Sequence, residues 1–337
     1  PISLNPFHPM KTAYLILAHQ QPRQVARLIQ ALSGEGNYFF VHVDRKASLS
    51  AFKAAIPPSR RVCFLADPER VKVHWGGFSP VQATLRLLDC AYRSAVRFGR
   101  YCLLSGADFP IKGNDQIREA FDSEQEFISI GQALYAPGDA AKAPNVSQYH
   151  YYDHEWLNPR TTPFPALPRL AARLSSRVPR SPYDRIPLYQ GSQWWALTDQ
   201  MVGYIFNFIR KHPDYLTFQR FTLVPDEVFF HSIVKSSPWA GCINHDFEQG
   251  TLPGGTSPER GCHYVDWHSG ETVPKVLDLS DLEKLLASKA LFARKFENPR
   301  SAELLDRLEG LRGEAEATTG RRLFMPGFPG HLGLLAG

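Results

Sequence analysis

Two adjacent carboxylates, Asp226 and Glu227, follow Pro225 and open an apolar run of Val228, Phe229 and Phe230. Acids so placed either favour a helix N-terminus through its dipole or supply a general base. Two adjacent cations, Arg294 and Lys295, come just after Leu291, Phe292 and Ala293. They read either as a solvated basic turn or as groups that neutralise a phosphate. Asp44 and Asp108 each stand at the end of an apolar run of strand character. In parallel α/β sheets ligands sit beyond the carboxyl ends of the strands, so both are candidates by position. Asp108, just before Phe109-Pro110, could equally brace a turn.

Absences narrow the chemistry. No G-x-G-x-x-G follows the first apolar run, and the chain contains no P-loop, no G-x-S-x-G elbow and no H-E-x-x-H. No two aspartates lie two apart. An enzyme that holds a sugar nucleotide through a divalent metal commonly presents such a pair, because the ion needs hard oxygen ligands. Without it, arginine and lysine must offset the charge of a diphosphate.

Positioning these groups requires a sheet. Thr12–Ala18 is a continuous apolar run, as in a strand buried on both faces. Val25, Leu28, Ile29 and Leu32 recur at helical spacing, and Gly34 stops the helix. Residues 38–43, 61–65, 101–105 and 126–130 predict further strands. Ser79 and Pro80 open a helix carrying Val81, Leu85, Leu88 and Tyr92, with Ser79 as its N-cap. This alternation predicts an α/β fold with a mainly parallel sheet and right-handed crossovers. Residues 132–190 lose the periodicity and read as long loops, with a short helix near 168–176 and an aromatic, polar cluster at 149–156. Order returns with a strand at 192–197, on which Trp194 and Trp195 would point opposite ways, one of them to the core. Helices follow from Thr198, after Pro225-Asp226, from a capping box at Ser280 to Glu283, and over 300–311.

The chain has 337 residues, with 38 basic and 33 acidic side chains, a net charge of +5. That balance is too mild to point to nucleic acid. The five cysteines, Cys63, Cys90, Cys102, Cys242 and Cys262, form no C-x-x-C, so neither a disulfide framework nor a zinc site is expected. No apolar run approaches the ~18 residues of a membrane span, and residues 1–9 lack the charged start of a secretory signal. Met10 is a candidate start of the protein. The expected setting is cytoplasmic, with peripheral contact at the inner membrane face. Residues 160–185 are locally basic and include Pro163, Phe164, Leu167 and Leu170. They read as a solvated loop or as a contact for an anionic membrane surface.

Eight stretches, in order, carry a resemblance: residues 13–19, 40–46, 73–79, 104–112, 191–195, 225–230, 263–267 and 291–297. Together they resemble the core-2/I-branching enzyme family, which includes branching β-1,6-N-acetylglucosaminyltransferases and peptide O-xylosyltransferases. The resemblance implies a GT-A-like, Rossmann-like fold and an inverting, metal-independent transfer from a UDP-sugar, with no cofactor. By resemblance Glu227 is the general base and Lys295, beside Arg294, lies on the donor pyrophosphate. A second basic contact falls at Arg260 or His263. Ala18, His19 and Asp44 fall on the nucleoside side, and Trp75 stands where an aromatic flanks the uracil. Gly191, Ser192, Trp194, Trp195, Asp108 and Asp226 fall around the donor sugar and acceptor.

On this reading, 10–312 form one domain. Residues 12–130 are the nucleotide-binding half, 131–190 the acceptor-side loops and 191–312 the acceptor and catalytic half. The tail, 313–337, is expected to be poorly ordered. The donor sugar is N-acetylglucosamine or xylose, and Phe229-Phe230-His231 with Val265-Asp266-Trp267 lean toward the xylosyl branch. A glycan, a glycolipid or a protein hydroxyl is the expected acceptor, in the setting of a compact bacterial-type member. The competing reading is a non-catalytic nucleotide-sugar or glycan-binding protein on the same fold.

Overall fold

The computed structural model describes residues 10–138, 143–178, 180–248 and 258–323, with side chains as far as Gly313. The nine residues before Met10 and the tail from 324 lie outside the described residues.

The strands are β1 (Thr12–Ala18), β2 (Asn37–Val43), β3 (Val62–Phe64), β4 (Arg100–Ser105), β5 (Asp108–Pro110), β6 (Glu126–Tyr135), β7 (Leu188–Gly191), β8 (Ala196–Thr198), β9 (Ile243–Asp246), β10 (Glu259–Arg260), β11 (His263–Val265) and β12 (Phe292–Arg294). The main sheet runs β3-β2-β1-β4-β8-β6-β7, with β9 on β6. Strands β1 to β4 pair in parallel, β8 and β7 run antiparallel to their neighbours, and β9 is parallel to β6. The fold is α/β with a mainly parallel central sheet flanked by helices, as the alternation of elements predicts.

Strand β1 is apolar throughout because both its faces are covered. Ala13 and Leu15 join one core, while Tyr14, Ile16 and Ala18 join the other. Helix Pro22–Leu32 buries Val25, Leu28, Ile29 and Leu32 against the second core, on the predicted stripe. Helix Ser79–Tyr92 buries Val81, Leu87 and Leu88 against the first. Its N-terminus differs from expectation. Phe78 is the cap, and the carboxylate of Asp153 accepts the amides of Phe78 and Ser79 at 2.8 and 3.0 Å. The Ser79 hydroxyl oxygen instead accepts the His74 amide at 2.7 Å.

Four other boundaries move. Strand β6 continues to Tyr135, well past residue 130, because β7 pairs with it from Ile130 to Tyr135. The strand expected at 192–197 is split: β7 ends at Gly191 and β8 begins at Ala196. A Cβ on Gly191 would lie 1.8 Å from the Ser129 carbonyl oxygen, so only glycine lets the chain cross β6 this closely. The cap near residue 280 lies earlier than predicted. Asp278 accepts from the amide of Ser280, and Asp281 accepts from that of Asp278. The last helix spans Ala302–Leu323, longer than 300–311.

A smaller sheet, β10-β11-β12-β5, lies across the carboxyl end of β4. Its register sets Arg294 opposite Asp108 and Val265 opposite Arg294. This sheet, rather than the large one, brings the charged candidates together.

Candidate active site

A cavity of about 490 Å³ opens where β6, β7 and the turn Pro225–Glu227 meet, and Gly191, Ser192, Glu227, Phe247, Arg260 and Trp267 are among its walls. The turn is a single 3₁₀ turn entered through Val224 at φ 46°. Gln190 donates from Nε2 to Glu227 Oε2 at 2.8 Å, which fixes the carboxylate at the cavity wall. Fully buried His231 meets the Ser192 carbonyl at 2.7 Å. A carbonyl only accepts, so Nε2 carries the proton there. Burial pushes this imidazole down to about 4, so it stays neutral and pins the loop. The Ser192 amide donates to Ser129 Oγ at 3.1 Å. Arg260 lies over the Phe247 ring at 4.7 Å.

Burial raises the pKa of Glu227, and the bond from Gln190 works against the rise. Asp226 is pushed up to about 7, first by burial and then by the neighbouring Glu227. Its Oδ1 has no hydrogen-bond partner among the described residues. A folded-state value above the unfolded 3.8 means that the native protein holds a proton the unfolded chain gives up. Stability is therefore lost as pH rises through the window from about 4 to 7. Asp226→Asn is expected to raise stability by on the order of 1–3 kcal/mol at pH 8 and to change little at pH 4. Thermal unfolding at the two pH values checks this; an equal shift at both would show that ionisation is not the cause.

A second, small cavity of about 60 Å³ lies at the carboxyl ends of β1 and β4, between His19, Gly106, Ala107, Arg294 and Lys295. Here the Asp44 amide donates to the Ala18 carbonyl at 2.8 Å, joining β1 to β2. The Asp44 carboxylate accepts the Lys46 amide at 2.8 Å and lies 3.6 Å from its ammonium group. The pKa of His19 is lowered by partial burial against the pull of Asp44, with Lys295 and Lys46 adding to the lowering. These four side chains share one edge. Lys295 Nζ lies 2.5 Å from Glu297 Oε1.

Behind that edge is a buried charge cluster. Asp108, fully buried, accepts the amide and the hydroxyl of Ser105 at 2.7 and 2.6 Å. Arg294 Nη1 lies 3.3 Å from its carboxylate, and His263 Nε2 lies 3.3 Å from the other oxygen. Burial alone would raise the Asp108 pKa, but Arg294, His263 and Ser105 hold it below its usual value. The guanidinium of Arg294 also lies 4.3 Å from the Trp194 ring centre.

The family described as Core-2/I-Branching enzyme matches residues 12–286. The chain belongs to the core-2/I-branching enzyme family. A xylosyltransferase of Ciona intestinalis is 25% identical over 322 residues, 92% of this chain and 35% of that protein. Xylosyltransferase 1 of Homo sapiens is 25% identical over 90% of this chain and 30% of its own length. Xylosyltransferase 2 of Mus musculus is 25% identical over 89% and 33%. The chain thus spans about a third of the length of the curated relatives it matches.

Within this chain the candidates divide. Glu227, Arg260, Gly191 and Ser192 share the large cavity, and His19, Arg294 and Lys295 share the small one, with Ala18 and Asp44 at its edge. Asp226 lies behind Glu227 rather than among the lining residues. Asp108 takes the turn-bracing role that the sequence also allowed, and other candidates differ from expectation. His263 and Asp108 are fully buried and face each other, because the register of the small sheet turns both inward. Of the two basic candidates, Arg260 is therefore the one that borders a cavity. Trp195 is entirely core, and Trp194 is also buried, its ring against Arg294 and His263. The expected division into a core and a sugar-facing tryptophan fails because the segment is not a strand. Trp75 is 46% exposed, but the Arg160 guanidinium covers one face at 3.3 Å from the ring centre. Gln190, Ser105, Phe247 and Arg160 were not among the sequence candidates, and Trp267 was read only as part of a lean toward xylosyl transfer. A polar residue one position before Gly191 was the only local signal for Gln190.

Proposed function

We propose that this chain is an inverting glycosyltransferase that moves a sugar from a UDP-sugar to an acceptor hydroxyl without a metal. The observation that carries the reading is Glu227, a carboxylate with raised proton affinity, oriented by Gln190 at the wall of a cavity. In a single displacement the acceptor O–H gives its proton to Glu227 as its oxygen bonds to the anomeric carbon. The bond from that carbon to the phosphate oxygen breaks, and UDP departs with the electron pair. Lys295 and Arg294 offset the charge that grows on the pyrophosphate, and Arg260 is the second basic contact. Asp44 and His19 take the nucleoside end, with the free face of Trp75 beside the base. Xylose is the first donor to try, since relatives named xylosyltransferases match nine-tenths of the chain. N-acetylglucosamine is the second.

The test is calorimetric titration of UDP with excess EDTA, then with Mg²⁺ or Mn²⁺, followed by UDP release from each UDP-sugar. Binding in EDTA should equal binding with metal, and Lys295→Ala should weaken it by about tenfold or more. Binding that needs the metal would overturn the cation clamp. Binding of UDP-sugar without turnover, across acceptors, would favour the non-catalytic reading.

A further inference from the structure

Helix Ala166–Ser175 faces the wrong way for a helix of a folded core. Pro168 and Ser175 are buried and Ala171 is half-buried, so its small residues form the inner face. Leu167, Leu170 and Leu174, followed by Val178, are exposed, with Leu170 and Leu174 each at 53%. Positions 167, 170 and 174 fall on one stripe of the helix, and Val178 follows beyond its end at Ser175. Arg169 and Arg173 stand beside it on the helix and Arg177 just past its end, all three exposed and in no ion pair among the described residues. Trp156, 59% exposed, stacks on exposed Phe164 with ring centres 5.6 Å apart.

The rest of the segment is held firmly. Asn158 is fully buried and donates to the carbonyls of Trp75 and Tyr152 at 2.9 and 2.8 Å. At the other end Arg180 donates to the carbonyls of Val146, Gln148 and Phe221. So the outward leucines are displayed from two fixed points. Single exposed apolar residues are ordinary, but a leucine stripe, three arginines beside it and an aromatic pair on one segment are not. Between Trp156 and Arg180 the sequence contains no Asp or Glu.

We propose that this segment lies in the interface of an anionic lipid bilayer, with the leucines and Trp156 among the acyl chains and the arginines at the headgroups. A basic, acid-free polar edge beside an apolar stripe matches such a surface in both charge and hydropathy. A second copy of the chain does not, because a two-fold contact on this face would set these arginines against each other. This placement stands independently of the reaction at Glu227.

The test is co-sedimentation of the purified chain with vesicles of phosphatidylglycerol and phosphatidylcholine in equal parts, against phosphatidylcholine alone. The chain should pellet with the first, much less with the second, and less at high salt. Leu170→Ser with Leu174→Ser should weaken binding about tenfold or more. Arg169→Gln, Arg173→Gln and Arg177→Gln together should weaken it about a hundredfold. All five positions are exposed, so an unchanged thermal midpoint confirms that each variant folds. Vesicles should shift the tryptophan emission to the blue, and Trp156→Phe should remove that shift. Equal pelleting with both vesicle types, or none, overturns the proposal. So does a dimer in sedimentation velocity that the leucine variant dissolves.

Discussion

Glu227→Gln should leave UDP affinity unchanged within about twofold and lower sugar transfer about a thousandfold, the scale of losing a positioned general base. The amide is nearly isosteric, and its carbonyl oxygen can still accept the bond that Gln190 gives to Glu227 Oε2 at 2.8 Å. The loop therefore keeps its place while the proton acceptor is gone. The wild-type pH profile should carry the same signature. Only the carboxylate accepts a proton, so the rate falls as pH falls through the pKa of the site. Burial raises Glu227 above its ordinary value, and Asp226 beside it is pushed up to about 7. The acid limb of kcat/KM should therefore lie above the usual carboxylate range, with apparent values that belong to the pair. In Glu227→Gln the residual rate should lose that limb. Near-normal transfer by the variant would remove Glu227 from the mechanism. Loss of UDP binding along with transfer would mean that the carboxylate holds the donor side instead.

The parts legible in the sequence were those that local physics controls. Strand β1 and the helix Pro22–Leu32 are written in consecutive residues, because burial on both faces or one stripe leaves a direct pattern. The segment after Gly191 was misread for a reason no pattern contains. Its course depends on a backbone carbonyl of β6, 62 positions earlier at Ser129. The site was half legible. Placement at strand ends marked Asp44 and Asp108, residue type and neighbours marked Glu227, Arg294 and Lys295, and the family resemblance gave them roles. Type alone could not say whether a charge would meet a ligand or another side chain. Asp108 and His263 look like ligand-binding groups in the sequence, and the register of β5, β12 and β11 makes Asp108 the partner of both Arg294 and His263. Gln190 orients the proposed base from 37 positions away, beyond any spacing rule.

Asp108→Ala should cost about 3–5 kcal/mol, the range for breaking a buried charge pair from one side. The carboxylate is fully buried and meets four groups: the Ser105 amide and hydroxyl, Arg294 and His263. Its loss leaves the amide without an acceptor and two cationic side chains without their shared counter-charge. The pH dependence should change with it. Burial works against charge on His263, yet Cys262 and Asp108 push its pKa up to about 9. A value raised above the unfolded 6.5 gives stabilisation that is complete below about 6.5 and is lost as pH rises through about 9. In the variant that alkaline decline should flatten. It should not vanish, because Cys262, which raises His263 more than Asp108 does, remains in the variant. Urea unfolding from pH 6 to 9.5 reads both effects, and an undiminished alkaline decline would separate His263 from Asp108. Asp108→Asn then tests what the cluster does for the site. It keeps the size and one acceptor for Ser105, turns the other oxygen into a donor, and removes the charge that aims Arg294. If UDP binds this variant more weakly at a temperature where it is fully folded, Asp108 positions Arg294 for the nucleotide. If stability drops while UDP affinity holds, Lys295 carries the pyrophosphate without Arg294, and the buried cluster serves the fold.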